Sequence, residues 1–145
     1  MPQLTVRVRN LSSLQAKVKR LDGGIKSAVV KALRKLANPI KRDIQKELRK
    51  RKSGPIITRY RPQRRVKVSL PNEAPARDLG LLVNSISVEV DPTQFNMVIA
   101  ASAPYARELE YGTRRMLPRP FLRPALARWR APIIDAIRGS IKRSV

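Results

Sequence analysis

From Leu14 to Leu48, apolar side chains recur every three or four residues: Leu14, Val18, Leu21, Ile25, Val29, Leu33, Leu36, Ile40, Ile44 and Leu48. An α-helix lines that spacing up along one face. Lys and Arg crowd the opposite face. The first third of the chain is thereby committed to amphipathic helix, with one side that must be buried. Gly23-Gly24 is expected to split it into a short helix and a longer one. Pro39 lacks a backbone donor and crowds the preceding turn, so it is expected to kink the longer helix or start a third. A second stripe, Leu122, Leu126, Trp129, Ile133, Ile137 and Ile141, predicts a C-terminal helix bent at Pro132.

Elsewhere the period is two. Leu4, Val6 and Val8 alternate with Thr5, Arg7 and Arg9, which predicts a short strand with one wet face. Ile86, Val88 and Val90 alternate with Ser85, Ser87 and Glu89. Asp91-Pro92-Thr93-Gln94 makes a turn, and Asn96 to Ser102 is a strand apolar enough to be buried on both faces. The expected fold is α+β. A small antiparallel sheet, the N-terminal strand plus the central hairpin, is packed by a long N-terminal helical segment and a C-terminal helix. A length of 145 residues suits a single domain, 1–145, interrupted by a basic, Pro-rich excursion at about 49–78.

The chain has no cysteine and no histidine. Disulfides, thiolate or imidazole metal sites, Cys nucleophiles and Ser-His-Asp triads are excluded with them. Of the ten carboxylates, only Glu89–Asp91 and Glu108–Glu110 are close in sequence, and nothing around them supports carboxylate-pair chemistry. No enzyme, catalytic residue, cofactor or metal is therefore expected. No apolar run is long enough to span a membrane, and the first residues lack the apolar core of a secretion signal, so synthesis in a cytoplasm is expected.

The formal net charge is +22. Residues 1–67 carry 21 Lys/Arg against 3 Asp/Glu, whereas residues 68–145 carry 11 against 7. Such an excess calls for a polyanion or an acidic protein partner. The candidates for that contact are Arg49, Lys50, Arg51, Lys52, Arg59, Arg61, Arg64, Arg65 and Lys67. Tyr60 and the interspersed prolines mark this stretch as an arm, either a loose hairpin or a segment ordered on binding. It could lie on DNA phosphates without base specificity or dock into an acidic protein groove. Tyr105, Tyr111, Phe121 and Trp129 sit at helical spacings and read as core anchors rather than as a base-stacking platform.

The densest signal lies between Pro104 and Leu126. Pro104 suits a first helical turn, Tyr105 and Leu109 share a face, Gly112 suits a helix stop, and Pro120 opens the next helix. The motif residues are Tyr105, Ala106, Glu110, Gly112, Thr113, Pro120, Phe121, Arg123 and Pro124. Glu110 is positioned to pair with Arg114, Arg119 or Arg123, in the same subunit or across a subunit joint. A Gly-x-Leu-x-x-Ser-Ile step, Gly80, Leu82, Ser85 and Ile86, leads into the central hairpin. Together these resemble the tail-completion, or head–tail joining, proteins of long-tailed double-stranded DNA phages, also called minor tail components.

The resemblance implies a structural virion protein of the neck. It would form a homo-oligomeric ring, a hexamer by similarity, that contacts neighbouring neck and tail proteins, its basic arm meeting either an acidic neighbour or, non-specifically, genomic DNA. It would be made in the host cytoplasm and end at the head–tail junction, with no membrane partner. A small basic nucleic-acid-binding protein, ribosomal or nucleoid-like, is the alternative that the composition leaves open, and a regulator with one acidic partner is a third.

Overall fold

A computed structural model of the chain describes residues 4–7, 16–17 and 20–144. Val8, Leu14 and Val18, which belong to the expected first strand and first helix, lie outside the described residues. In chain order the elements are β1 (Leu4–Arg7), α1 (Gly23–Arg49), β2 (Ile56–Tyr60), β3 (Gln63–Lys67), α2 (Leu81–Asn84), β4 (Ile86–Asp91), β5 (Asn96–Ala101), α3 (Ala106–Tyr111) and α4 (Leu122–Ser144). The fold is α+β, as the periodicities predict.

β5 is the central strand of an antiparallel sheet ordered β1-β5-β4. Its register sets Ile86 opposite Ala101, Val88 opposite Ile99 and Val90 opposite Met97. Side chains directly opposite each other share a face, so Ile86, Met97, Ile99 and Ala101 form one apolar surface, fully buried. α1 lies against β4 and also against α4. Its stripe delivers Val29, Leu33, Ile40, Ile44 and Leu48 to the core, where they meet Leu122, Ala125, Ile133 and Ile137 of α4. Each Val, Leu and Ile side chain among them stabilises the fold by about 1.5–3 kcal/mol through removal from water.

One expectation about the long helix needs adjusting. Gly23-Gly24 opens α1, as the glycine pair suggests. No new helix begins at Pro39, because α1 runs unbroken from Gly23 to Arg49. The proline is exposed, while Leu33, Ile40 and Ile44 on either side of it are buried. Packing on both flanks outweighs one missing backbone hydrogen bond. α4 is likewise continuous through Pro132.

The two long helices are also joined by a polar contact. The Oδ2 atom of Asp43 accepts hydrogen bonds from Arg128 Nη2 at 2.8 Å and from Trp129 Nε1 at 2.9 Å. Partial burial pushes the Asp43 carboxyl up, but those two hydrogen bonds and the Arg128 charge outweigh it and hold it below its ordinary 3.8. The folded-state value is therefore the lower one. Its stabilisation is fully present above the unfolded value and is lost as pH falls through the folded value. Asp43→Asn should lower stability by about 1–2 kcal/mol at neutral pH. In urea unfolding, the gap to the wild type should close as pH drops below 3.8. A gap that stays constant down to the lowest pH would show that the carboxylate charge does not contribute.

Candidate functional site

Three structural features occupy the segments that the sequence marks: the joint between α3 and α4, the step into β4, and the β2–β3 hairpin.

At the joint, Glu110 is entirely buried. Its Oε2 accepts the backbone N–H groups of Phe121 at 2.8 Å and Leu122 at 3.0 Å. Its Oε1 accepts Arg123 N at 2.9 Å and Arg123 Nε at 3.2 Å. Arg123 Nη2 returns a hydrogen bond to the Glu110 carbonyl at 2.8 Å. These amides are among those left without a helical partner at the first turn of α4, where negative charge is favoured. Glu110 thus caps α4 from outside, eleven to thirteen residues upstream. Of its three candidate arginines, Arg123 in the same chain is the one it meets. That guanidinium also lies over the Tyr111 ring, 4.9 Å from its centroid.

The geometry depends on Gly112. Its φ is +77°, and a Cβ there would sit 2.7 Å from Met116 O and 2.9 Å from Pro118 N. Only glycine accepts both the left-handed conformation and the close approach. Beyond it, Thr113 N bonds Met116 O at 2.8 Å, which closes a tight turn with Arg114 and Arg115 exposed at its tip. Arg119 N bonds Leu109 O at 2.7 Å, and Asn72 N bonds Pro118 O at 2.9 Å, so the loop is fastened on two sides. Ala106 and Phe121 are buried, Pro120 is half-buried, and Tyr105 and Pro124 are exposed.

In the step into β4, Gly80, Leu82 and Ile86 are buried. Ser85 Oγ donates to Leu82 O at 2.8 Å, and the Ser85 carbonyl accepts Ser102 N at 3.2 Å. These residues turn the chain out of α2 and into the sheet.

The basic excursion forms a β2–β3 hairpin with a cis Arg61–Pro62 turn. Its ladder continues past the strands through Gly54 N to Val68 O and Val68 N to Pro55 O. A Cβ on Gly54 would sit 2.5 Å from Val68 O, so the strands can close only on glycine. Three acids outside the hairpin hold the region. Asp78 takes a two-pronged contact from Arg64, at 2.5 and 2.6 Å, with Arg59 Nε at 3.3 Å. Glu73 accepts Leu70 N, Ser53 N and Ser53 Oγ. Glu47 forms an ion pair with Lys50, and its carbonyl accepts Lys52 Nζ at 2.8 Å. Arg64 holds the Asp78 carboxyl low, and the Leu70 amide, ahead of Ser53, does the same for Glu73. Burial pushes the Lys52 ammonium down.

The nine cations nominated for a partner therefore divide. Lys52 is only 6% exposed. Arg64, Arg59 and Lys50 are held by internal carboxylates. Among the described residues, Arg49, Arg51, Arg61, Arg65 and Lys67 make no ion pair. No metal-holding cluster occurs among the described residues, and no helix among them is long and apolar enough to cross a membrane.

The step into β4 and the start of the joint fall inside a match to a family model. The model of the HK97-gp10-like family, "Bacteriophage HK97-gp10, putative tail-component", covers residues 12–112. The chain belongs to this family. No curated protein and no solved structure gives a match. The matched span ends at Gly112, the residue that makes the turn, so Thr113, Pro120, Phe121, Arg123 and Pro124 lie beyond it. Family membership identifies a structural component of a phage tail, in accord with the resemblance that the motifs carry.

Sequence reasoning paired Glu110 with an arginine and missed the backbone amides that hold it more closely. The available signal was an acid shortly upstream of a Pro-Phe-Leu-Arg helix start. Glu110→Ala would leave buried amides without an acceptor and should cost about 3 kcal/mol or more in urea unfolding. Arg123→Ala, whose partner keeps its amides and whose side chain is half-exposed, should cost about 1 kcal/mol. Equal losses would mean that the ion pair, and not the amide cap, dominates. Gly112→Ala should cost about 1–3 kcal/mol through backbone strain, measured in the same titration.

Proposed function

We propose that this tail component forms a closed ring at the junction between a DNA-filled head and its tail. By similarity the ring holds about six copies joined head to tail, since heterologous contacts close into rings when the rotation allows. The observation that carries the reading is where the cations stand. Exposed Lys31, Arg34, Lys35, Arg42, Lys46 and Arg49 run along α1, and the hairpin that follows adds exposed Arg61 and Arg65. The hairpin is an ordered, anchored platform for those charges. They suit an acidic ring in the next tier of the particle or, non-specifically, the phosphates of the passing genome.

Repulsion at +22 per subunit opposes ring closure by free subunits at low salt. An acidic template relieves it. Purified protein should therefore form few rings alone at low salt and more at high salt or on the template, as counted by negative-stain electron microscopy. Rings that form equally well at both salt concentrations would overturn charge-gated closure. Arg61→Glu combined with Arg65→Glu should keep the wild-type melting temperature yet reduce incorporation into particles. Unchanged incorporation would remove the hairpin from the contact.

A further inference from the structure

Between the β2–β3 hairpin, the 75–83 segment, α3 and the 116–119 loop lies a cleft of about 450 Å3. Leu48, Val66, Leu82 and Val83 are buried in its lining. Leu79, Leu81 and Tyr105 also line it, yet are 67%, 53% and 42% exposed. A concave apolar surface with large apolar side chains left in water is the form of a binding site rather than of a finished core.

Its charges say what kind of occupant fits. Arg59, Arg77 and Arg119 line the cleft, against Asp78 and Glu108. Asp78 is already held by Arg64 and Arg59. Arg77 makes no ion pair among the described residues. The Arg119 Nε atom is buried and has no hydrogen-bond partner. A buried guanidinium N–H without an acceptor is costly, and an incoming carboxylate oxygen would satisfy it.

We propose that this cleft docks an acidic, amphipathic segment of a different virion protein. Apolar side chains enter the cleft and a carboxylate meets Arg119. The proposal rests on the tail-assembly reading and specifies the chemistry of one partner in it. A second copy of this chain fits poorly, because it brings a charge of +22. Its Asp43, Glu47, Glu73, Asp78 and Glu110 are already engaged within the fold. The acids left to offer a neighbouring copy, Asp22, Glu89, Asp91, Glu108 and Asp135, are outnumbered by 32 Lys and Arg, and like charges at a contact select against it.

The test places a photo-reactive phenylalanine at Leu81 in cells that produce the particle and maps the cross-linked peptide by mass spectrometry. The expected peptide belongs to another virion protein and carries Asp or Glu beside Leu, Ile or Phe. Arg119→Gln should not lower the melting temperature, because the guanidinium Nε bonds nothing in the free chain and its burial is a cost there. It should lower the cross-link yield about tenfold or more. Leu79→Glu, a change on the exposed rim, should lower the yield by repelling the acidic segment and serves if Arg119→Gln fails to fold. A cross-link to this chain itself, a peptide without acidic residues, no cross-link from protein present in particles, or wild-type yield from both variants would overturn the proposal while leaving the tail reading in place. Absence of the protein from purified particles would remove both.

Discussion

One buried carboxylate determines how the C-terminal half of this chain is arranged. Glu110 closes α3 and reaches across the turn to hold the first amides of α4. The free amides of a helix N-terminus are an anion site in any protein. Here the anion is supplied by the preceding helix, so the cap also sets the angle between two elements. α4 then falls against α1, and the apolar stripe of each is covered by the other. Without that joint, the stripe of α4 would still prefer burial but would have no fixed direction from which to approach.

The other acids play related parts at longer range. Asp43 joins α1 to α4, Asp78 and Glu73 tie down the hairpin and its flanks, and Glu47 holds Lys50 while its carbonyl receives Lys52. In a chain so poor in carboxylates, five of the ten, Asp43, Glu47, Glu73, Asp78 and Glu110, are thus engaged by amides and cationic side chains of the fold itself. Among the described residues, exposed Lys and Arg outnumber the exposed acids Asp22, Glu89, Glu108 and Asp135. A surface of one sign repels its own copies and attracts anything acidic. For a member of a tail-component family, the fold and the assembly behaviour therefore have a common electrostatic origin.

The hairpin shows how the same residues serve both ends. Arg59 and Arg64 face inward to Asp78, and cross-strand pairing places them side by side. Arg65 sits opposite Thr58 on the other face and is free to meet a partner. Alternation along a strand divides a basic run into anchors and contacts. The cleft beside the hairpin continues this logic, with paired charge on one wall and an unpaired guanidinium on another.

Both helices, all three strands of the sheet and the pairing of its last two into a hairpin were legible from the pattern of the chain, because 3.6 and 2.0 are properties of the backbone that the apolar residues reveal directly. The family was legible from Gly80–Ile86 and the Pro104–Leu126 segment, of which the matched span reaches Gly112. What a one-dimensional reading could not supply was pairing. It placed an arginine opposite Glu110, although the nearer partners are backbone amides that no residue type announces. It counted Lys52 and Arg64 with the partner-facing cations, although one is buried on a helix end and the other holds Asp78. It left open whether Pro39 kinks the helix or starts a new one, and packing on both flanks carries α1 through without a new start. Local spacing is encoded in neighbouring residues, whereas the identity of a contact depends on where distant segments come to rest, and that was decided only when the helices closed over the sheet.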